Sequence, residues 1–217
     1  MQKTNTSLFW MQFKKMPLIG IARNIPKDTL LSILPHYAEA GLINIEVTMN
    51  SPGAEEEIRE TVKEFGTVLN IGAGTVCSIA DLEKALNAGA TFIVTPIVDV
   101  KVIQACRQRT IPLFTGAYTP TEIYKAMHAG CDAVKLFPSS SMTVEFIKDL
   151  LGPFPDAKLI PTGGVDVNNA VSFLNAGAAG VGMGSQLFYT EYIKKKNFKA
   201  LSGHFKMIAD RIASSGK

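Results

Sequence analysis

The sequence predicts an α/β protein, a (β/α)8 TIM barrel with an extra N-terminal helix, and three observations carry that prediction. Short apolar runs lie between helical patterns, as in a parallel sheet covered by helices. Four segments align on an Ala-Gly pair: EAGLINIEVT from Glu39, NAGATFIVTP from Asn87, HAGCDAVKLFP from His128 and NAGAAGVGMGS from Asn175. Each reads as a helix end, a glycine able to take the left-handed cap conformation, and a buried strand. The pairs recur every 41 to 48 residues, which leaves room for two strand-helix units per interval. Eight such units in 217 residues average about 27 each, near the lower end for this barrel.

Taken in order, residues 1–16 hold an apolar group, Leu8-Phe9-Trp10-Met11, followed by Lys14-Lys15. The group is short for a secretory core and lacks a small-residue cleavage site, so it predicts a helical extension lying against the domain. The strands between the four aligned ones are expected at Pro17–Ala22, Val68–Ala73, Ile111–Thr115 and Lys158–Pro161. Helical patterns separate them at Thr29–Ala40, Ala54–Phe65, Ile79–Ala88, Val100–Arg107, Pro120–Ala129, Thr143–Leu151 and Val167–Ala176, and Phe198–Ala213 closes the chain. An open doubly wound sheet is disfavoured because no GxGxxG follows the first strand. With no linker or composition shift, 1–217 is expected to be one barrel domain.

Composition narrows the function classes. At 47% hydrophobic residues and a net charge of +3, the chain has a large core and no strong pull toward polyanions. The dense basic run, Lys194-Lys195-Lys196, has no interleaved aromatics and reads as a solvated helix face, so no nucleic-acid partner is expected. No apolar stretch reaches the ~18 residues of a membrane span. Cys77, Cys106 and Cys131 show no CxxC spacing, and His36, His128 and His204 fall in no HExxH pattern, so neither disulfides nor a metal site is indicated. The default location is cytoplasmic.

The chemistry centres on Asp132–Pro138. Alternation places Ala133, Lys135 and Phe137 on one face, which would bury the lysine of an internal strand. Burying an ammonium is costly, whereas a desolvated neutral amine attacks carbonyl carbon and forms Schiff bases. The bland alternative is a lysine that reaches water at a strand end or is ion-paired in the core. In the second strand Asn44, Glu46 and Thr48 share the inward phase, so Glu46 is either the partner of that lysine or an acid/base beside it. Arg23 ends the first strand as a cation suited to carboxylate or phosphate. Gly72-Ala73-Gly74-Thr75 ends the third with small residues and a hydroxyl. Thr162-Gly163-Gly164 follows the seventh strand, and Gly182-Met183-Gly184-Ser185 follows the eighth, running into an expected short helix at Gln186. Barrels of this kind bind phosphate at those two places. These residues fit an imine-forming enzyme, a phosphosugar isomerase or epimerase, or a non-catalytic phosphometabolite-binding protein.

From about Leu18 to Leu187 the chain resembles the class I 2-keto-3-deoxy-6-phosphogluconate (KDPG) and 4-hydroxy-2-oxoglutarate (KHG) aldolases. The matching motifs are EVT at Glu46, GAGTV at Gly72, VTP at Val94, KLFP at Lys135, GPFP at Gly152, PTGGV at Pro161 and GMGS at Gly182. The resemblance implies that Lys135 forms an imine with pyruvate and that Glu46 is the general acid/base. It implies further that Arg23 and Thr75 contact the carboxylate, that Pro96 and Phe137 shape the pocket, and that Gly163, Gly164 and Ser185 hold phosphate. Thr48, Asn50 and Gly184 complete the expected substrate-binding set. The implied reaction splits KDPG into pyruvate and glyceraldehyde 3-phosphate, with KHG as a possible further substrate, in a cytoplasmic homotrimer without metal or cofactor. Two departures stand out. Asn50 occupies a position where several members carry arginine, and Asn50-Ser51-Pro52 looks like the branch acting on the galactonate epimer, although PTGGV looks like the gluconate branch. Thr115 replaces a proline common before the glycine after strand five.

Overall fold

A computed structural model describes residues 6–215. In chain order the elements are α1 (Thr6–Lys15), β1 (Leu18–Ala22), α2 (Lys27–Glu39), β2 (Asn44–Thr48), α3 (Ala54–Phe65), β3 (Asn70–Gly74), α4 (Ile79–Asn87), β4 (Ile93–Val94), α5 (Val100–Gln108), β5 (Leu113–Ala117), α6 (Pro120–Ala129), β6 (Ala133–Leu136), α7 (Val144–Leu151), β7 (Leu159–Pro161), α8 (Ala170–Asn175), β8 (Val181–Met183), α9 (Thr190–Lys194) and α10 (Phe198–Ala213). The strands are all parallel, ordered β7-β6-β5-β4-β3-β2-β1-β8, and a parallel bridge from Thr162 to Gly182 brings the two ends together. The result is a nearly closed barrel ringed by helices, as the alternating pattern predicts. Among the described residues no helix is long and apolar enough to cross a membrane.

Period 2 divides the strand side chains between two cores. Ile45 and Val47 of β2, with Ile71 and Ala73 of β3, point outward into the layer shared with the helices. Ile19, Phe92, Val94, Phe114, Ala133 and Ile160 point inward and fill the lower barrel. The N-terminal extension completes this inner layer. From α1, Phe9 lies 5.2 Å from Phe92 and Phe13 lies 5.4 Å from Phe114, ring centre to ring centre. The Phe13 ring fills the space where a Cβ on Gly180 would stand. The expected extension also covers residues 1–5, which lie outside the described residues.

Several helices begin where short polar side chains meet free backbone N–H groups. Ser78, Asp99, Thr119, Thr143 and Asn197 each accept from the first turn of the helix they precede, and Thr119 forms a reciprocal capping box with Glu122. Such caps contribute about 1 kcal/mol each.

Several boundaries differ from the sequence reading. β3 and β5 begin and end later than expected because Gly74 and Gly116 remain inside their strands. A side chain at Gly116 would collide with the Pro96 backbone, so the glycine permits close strand approach rather than ending the strand. α8 begins at Ala170 because Asp166 and Asn169 close a turn ahead of it: Asp166 Oδ1 accepts from Asn168 N–H at 2.7 Å, and Asn169 Oδ1 accepts from Asp166 N–H at 2.9 Å. The short helix expected at Gln186 is a single turn, with Leu187 and Phe188 both donating to Gly184 O at 2.9 Å, and α9 follows it.

Candidate active site

Lys135 and Glu46 meet inside the barrel above its apolar floor. Lys135 is 3% exposed and Glu46 1% exposed, and Lys135 Nζ lies 3.9 Å from Glu46 Oε1. The Phe137 ring centre lies 5.3 Å from the same ammonium. Glu46 fits because β3 presents Gly74 to it; a Cβ on Gly74 would fall onto the glutamate carboxyl. Among the described residues Glu46 Oε1 has no hydrogen-bond partner. Burial pushes the Glu46 carboxyl above its ordinary value, and the cations of Lys135 and Arg23 offset this in part. An amine beside a carboxyl with a raised proton affinity is a pairing suited to nucleophilic attack and proton transfer.

Lys135 also forms the floor of an open cleft of ≈ 490 Å³ at the C-terminal ends of the strands, while Glu46 borders a void of ≈ 10 Å³ just below. Gly163 (φ 84°) and Gly164 (φ 79°) form one wall in the left-handed region that favours glycine. Gly184 and Ser185 form another wall. The N–H groups of Gly164, Ser185 and Gln186 donate to no backbone acceptor among the described residues, so both turns offer donors to an anion. The loop after β6 buttresses the first turn: Ser139 N–H donates to Thr162 O at 2.8 Å, and Thr162 N–H donates to Ser139 Oγ at 3.1 Å.

Among the described residues the cations lining the cleft are Arg23, Lys135 and Lys194, and no Asp or Glu lines it. Among the described residues no group of three or more His, Cys, Asp or Glu is placed to hold a metal ion. The cleft is therefore chemically disposed toward an anion bearing a carbonyl.

A family model for KDPG and KHG aldolase matches residues 11–203. The chain belongs to the KDPG/KHG aldolase family. It is 35% identical to the 2-dehydro-3-deoxy-6-phosphogalactonate aldolase of Escherichia coli, over 80% of this chain and 85% of that one. It is also 33% identical to the 2-dehydro-3-deoxy-phosphogluconate aldolase of Haemophilus influenzae, over 75% and 76% respectively. Among solved structures, native KDPGal superposes with a TM-score of 0.83 at 31% identity, covering 91% of this chain and 94% of that one. The KDPG aldolase of Legionella pneumophila, with pyruvate captured as a covalent carbinolamine intermediate, superposes at 0.85 with 26% identity, covering 92% and 97%. The protein is thus an aldolase, a carbon-carbon lyase.

In this KDPG/KHG aldolase the expected site residues fall into two groups. Arg23, Lys135, Phe137, Gly163, Gly164, Gly184 and Ser185 line the cleft, with Glu46 below Lys135. Thr48, Asn50, Thr75 and Pro96 are not among its lining residues. Thr48 is buried with its hydroxyl 2.8 Å from Ser51 Oγ, and Asn24 N–H donates to that same Ser51 oxygen at 3.1 Å. Ser51 thereby ties the loop after Arg23 to the end of β2. Asn50 is exposed, and Pro96 is half-buried beside Gly116. Thr75 is half-buried one residue beyond Gly74 and holds φ 56°, a left-handed strain unusual in a β-branched residue. Thr115 is buried beside Phe114, whose ring occupies the inner layer, so alternation turns Thr115 toward the helices rather than the cleft. Sequence reasoning missed Lys194, which lies in a basic run whose directions only the placement of α9 reveals.

Proposed function

We propose that this aldolase cleaves 2-keto-3-deoxy-6-phosphogluconate to pyruvate and glyceraldehyde 3-phosphate through a Schiff base on Lys135. The observation that carries this reading is the buried Lys135–Glu46 pair beneath a cleft lined by cations and free backbone donors. The free amine of Lys135 attacks the C2 ketone, and loss of water from the carbinolamine leaves a protonated imine. Glu46 takes the C4 hydroxyl proton as the C3–C4 bond breaks, and the imine receives the bonding electrons as an enamine. Protonation at C3 and hydrolysis release pyruvate and return the amine. The covalent pyruvate carbinolamine of the Legionella pneumophila aldolase supports the first step.

The galactonate epimer is the second reading, favoured by the Asn50-Ser51-Pro52 pattern and by the Escherichia coli relative named for that substrate. Cleavage of unphosphorylated KHG to pyruvate and glyoxylate uses the same amine and acid/base. Family resemblance extends the proposal to a cytoplasmic homotrimer acting without metal or cofactor. Light scattering checks the trimer, and unchanged activity after chelation checks the metal independence.

Borohydride reduction in the presence of pyruvate tests the chemistry. A stable adduct mapped to Lys135 is expected, and no adduct, or one on another lysine, overturns the mechanism. Pyruvate release from both phosphorylated epimers and from KHG then ranks the substrates.

A further inference from the structure

Lys194 is the cleft cation to which the family resemblance assigns no role. It stands at the end of α9, a short helix between β8 and α10, and lines the cleft together with Thr190 and Ile193 of the same helix. Among the described residues it has no carboxylate partner, whereas Lys195 lies 3.6 Å from Glu191 Oε2. The segment carrying Lys194 is held at both ends. A ring nitrogen of His204 lies 2.7 Å from Gln186 O, and Asn197 N–H donates to Tyr192 O at 2.8 Å. Tyr189 and Tyr192 pack at 5.0 Å between those fastenings.

The other two cations are engaged elsewhere in the site, although Arg23, like Lys194, is exposed. Arg23 and Lys135 both act on the buried Glu46 carboxyl, and Lys194 is not among the charges that do so. A substrate with a carboxylate and a phosphate at opposite ends brings a charge of about −1 to the first and about −1.5 to −2 to the second. The backbone donors at Gly164 and Ser185 direct a phosphate but carry no formal charge. A lysine, a compact point charge, supplies what those donors lack.

We infer that Lys194 is a specificity-determining residue that binds the substrate phosphate at the outer end of the cleft and selects phosphorylated over unphosphorylated substrates. The inference rests on the phosphosugar reading above. Arg23 then serves the inner carboxylate, and Lys195 and Lys196 remain solvated.

The test compares wild type with Lys194→Gln, Lys194→Arg and, as a control, Lys195→Gln. Binding of inorganic phosphate is measured by calorimetry, and steady-state kinetics are measured on KDPG and KHG. Lys194→Gln is expected to weaken phosphate binding and to raise KM for KDPG about five- to tenfold, with kcat and the KHG parameters within about twofold. Lys194→Arg should recover most of the loss, and Lys195→Gln should match wild type. The inference is overturned if wild type binds no phosphate, if Lys194→Gln binds it no more weakly than Lys195→Gln, or if KM for KHG rises as much as KM for KDPG. Phosphate titration needs no turnover, so absence of pyruvate release from every substrate would defeat the aldolase reading while the titration still judged Lys194.

Discussion

Lys135 and Glu46 face each other across the barrel from β6 and β2, four strands apart in either direction around the ring, with Nζ and Oε1 3.9 Å apart. Each side chain therefore reaches inward from an opposite wall. The pair owes its geometry to barrel closure rather than to any local segment. Removing the amine should end catalysis without demanding a new backbone. Lys135→Met, which keeps most of the aliphatic stem, is expected to lower pyruvate release by at least about 10³-fold and to abolish borohydride trapping. Circular dichroism should remain that of wild type.

Glu46 separates imine formation from proton transfer. Glu46→Gln is expected to reduce kcat by about 10² to 10⁴-fold while leaving a trappable pyruvate adduct on Lys135. In wild type the base must be ionised, so kcat/KM should rise with pH through the Glu46 titration. Burial raises that carboxyl, so the limb belongs above the ordinary glutamate range and should vanish in the Gln variant. An acid limb unchanged in Glu46→Gln assigns it to another group.

Gly74 makes the space that the Glu46 carboxyl occupies. Gly74→Ala is expected to displace that carboxyl and lower kcat about tenfold or more, with a smaller change in KM. Gly41, where an added Cβ meets nothing within 4 Å, sits at a left-handed φ of 85° and so provides a control in which Ala acts on stability alone. Equal kinetic effects at the two positions would remove Gly74 from any positioning role.

How far the site was legible follows from these residues. Strict period-2 alternation singled out Lys135 and Glu46, because a one-residue error would have moved both to the other face. The same phase also nominated Thr48, yet its hydroxyl is taken by Ser51 three residues later, a local bond that periodicity does not report. Gly74 and Gly116 looked like strand ends, since what they make room for, the Glu46 carboxyl of β2 and the Pro96 backbone just beyond β4, comes from neighbouring elements. Lys194 was hidden in a run of three lysines, because charge composition carries no direction until α9 is placed against the cleft.

The floor of the barrel should be a matter of stability rather than of catalysis. Phe13 is 2% exposed and packs against Phe114 and the Gly180 backbone. Phe13→Ala is expected to cost about 3–5 kcal/mol in urea unfolding, while kcat per folded molecule stays within about twofold. A large kinetic effect without loss of stability would contradict this division.

Glu57 gives the folded state a separate pH dependence. α3 turns it inward with Ala54, Ile58 and Thr61, while its neighbours Glu55 and Glu56 meet Lys84 and Lys27. Burial pushes the Glu57 carboxyl from 4.5 to about 7. Between those values the folded chain holds a proton that the unfolded chain has lost, so unfolding releases it and stability falls as pH rises. Glu57→Gln should remove this fall and stabilise the protein at about pH 8 by about 1–3 kcal/mol relative to its effect at about pH 5. Urea titrations at the two pH values measure the difference.

The stacking of α1 beneath the barrel bears on how the chain is synthesised. Phe9 and Phe13 are translated long before Phe92 and Phe114, and longer still before Gly180, against which the Phe13 ring closes. Until those partners leave the ribosome, the apolar side of α1 has nothing native to cover it, the kind of exposure that invites chaperone capture or misassembly. α1 is thus made well before the partners that secure it, and a nascent chain stalled short of Gly180 should be far more protease-sensitive at α1 than the finished protein.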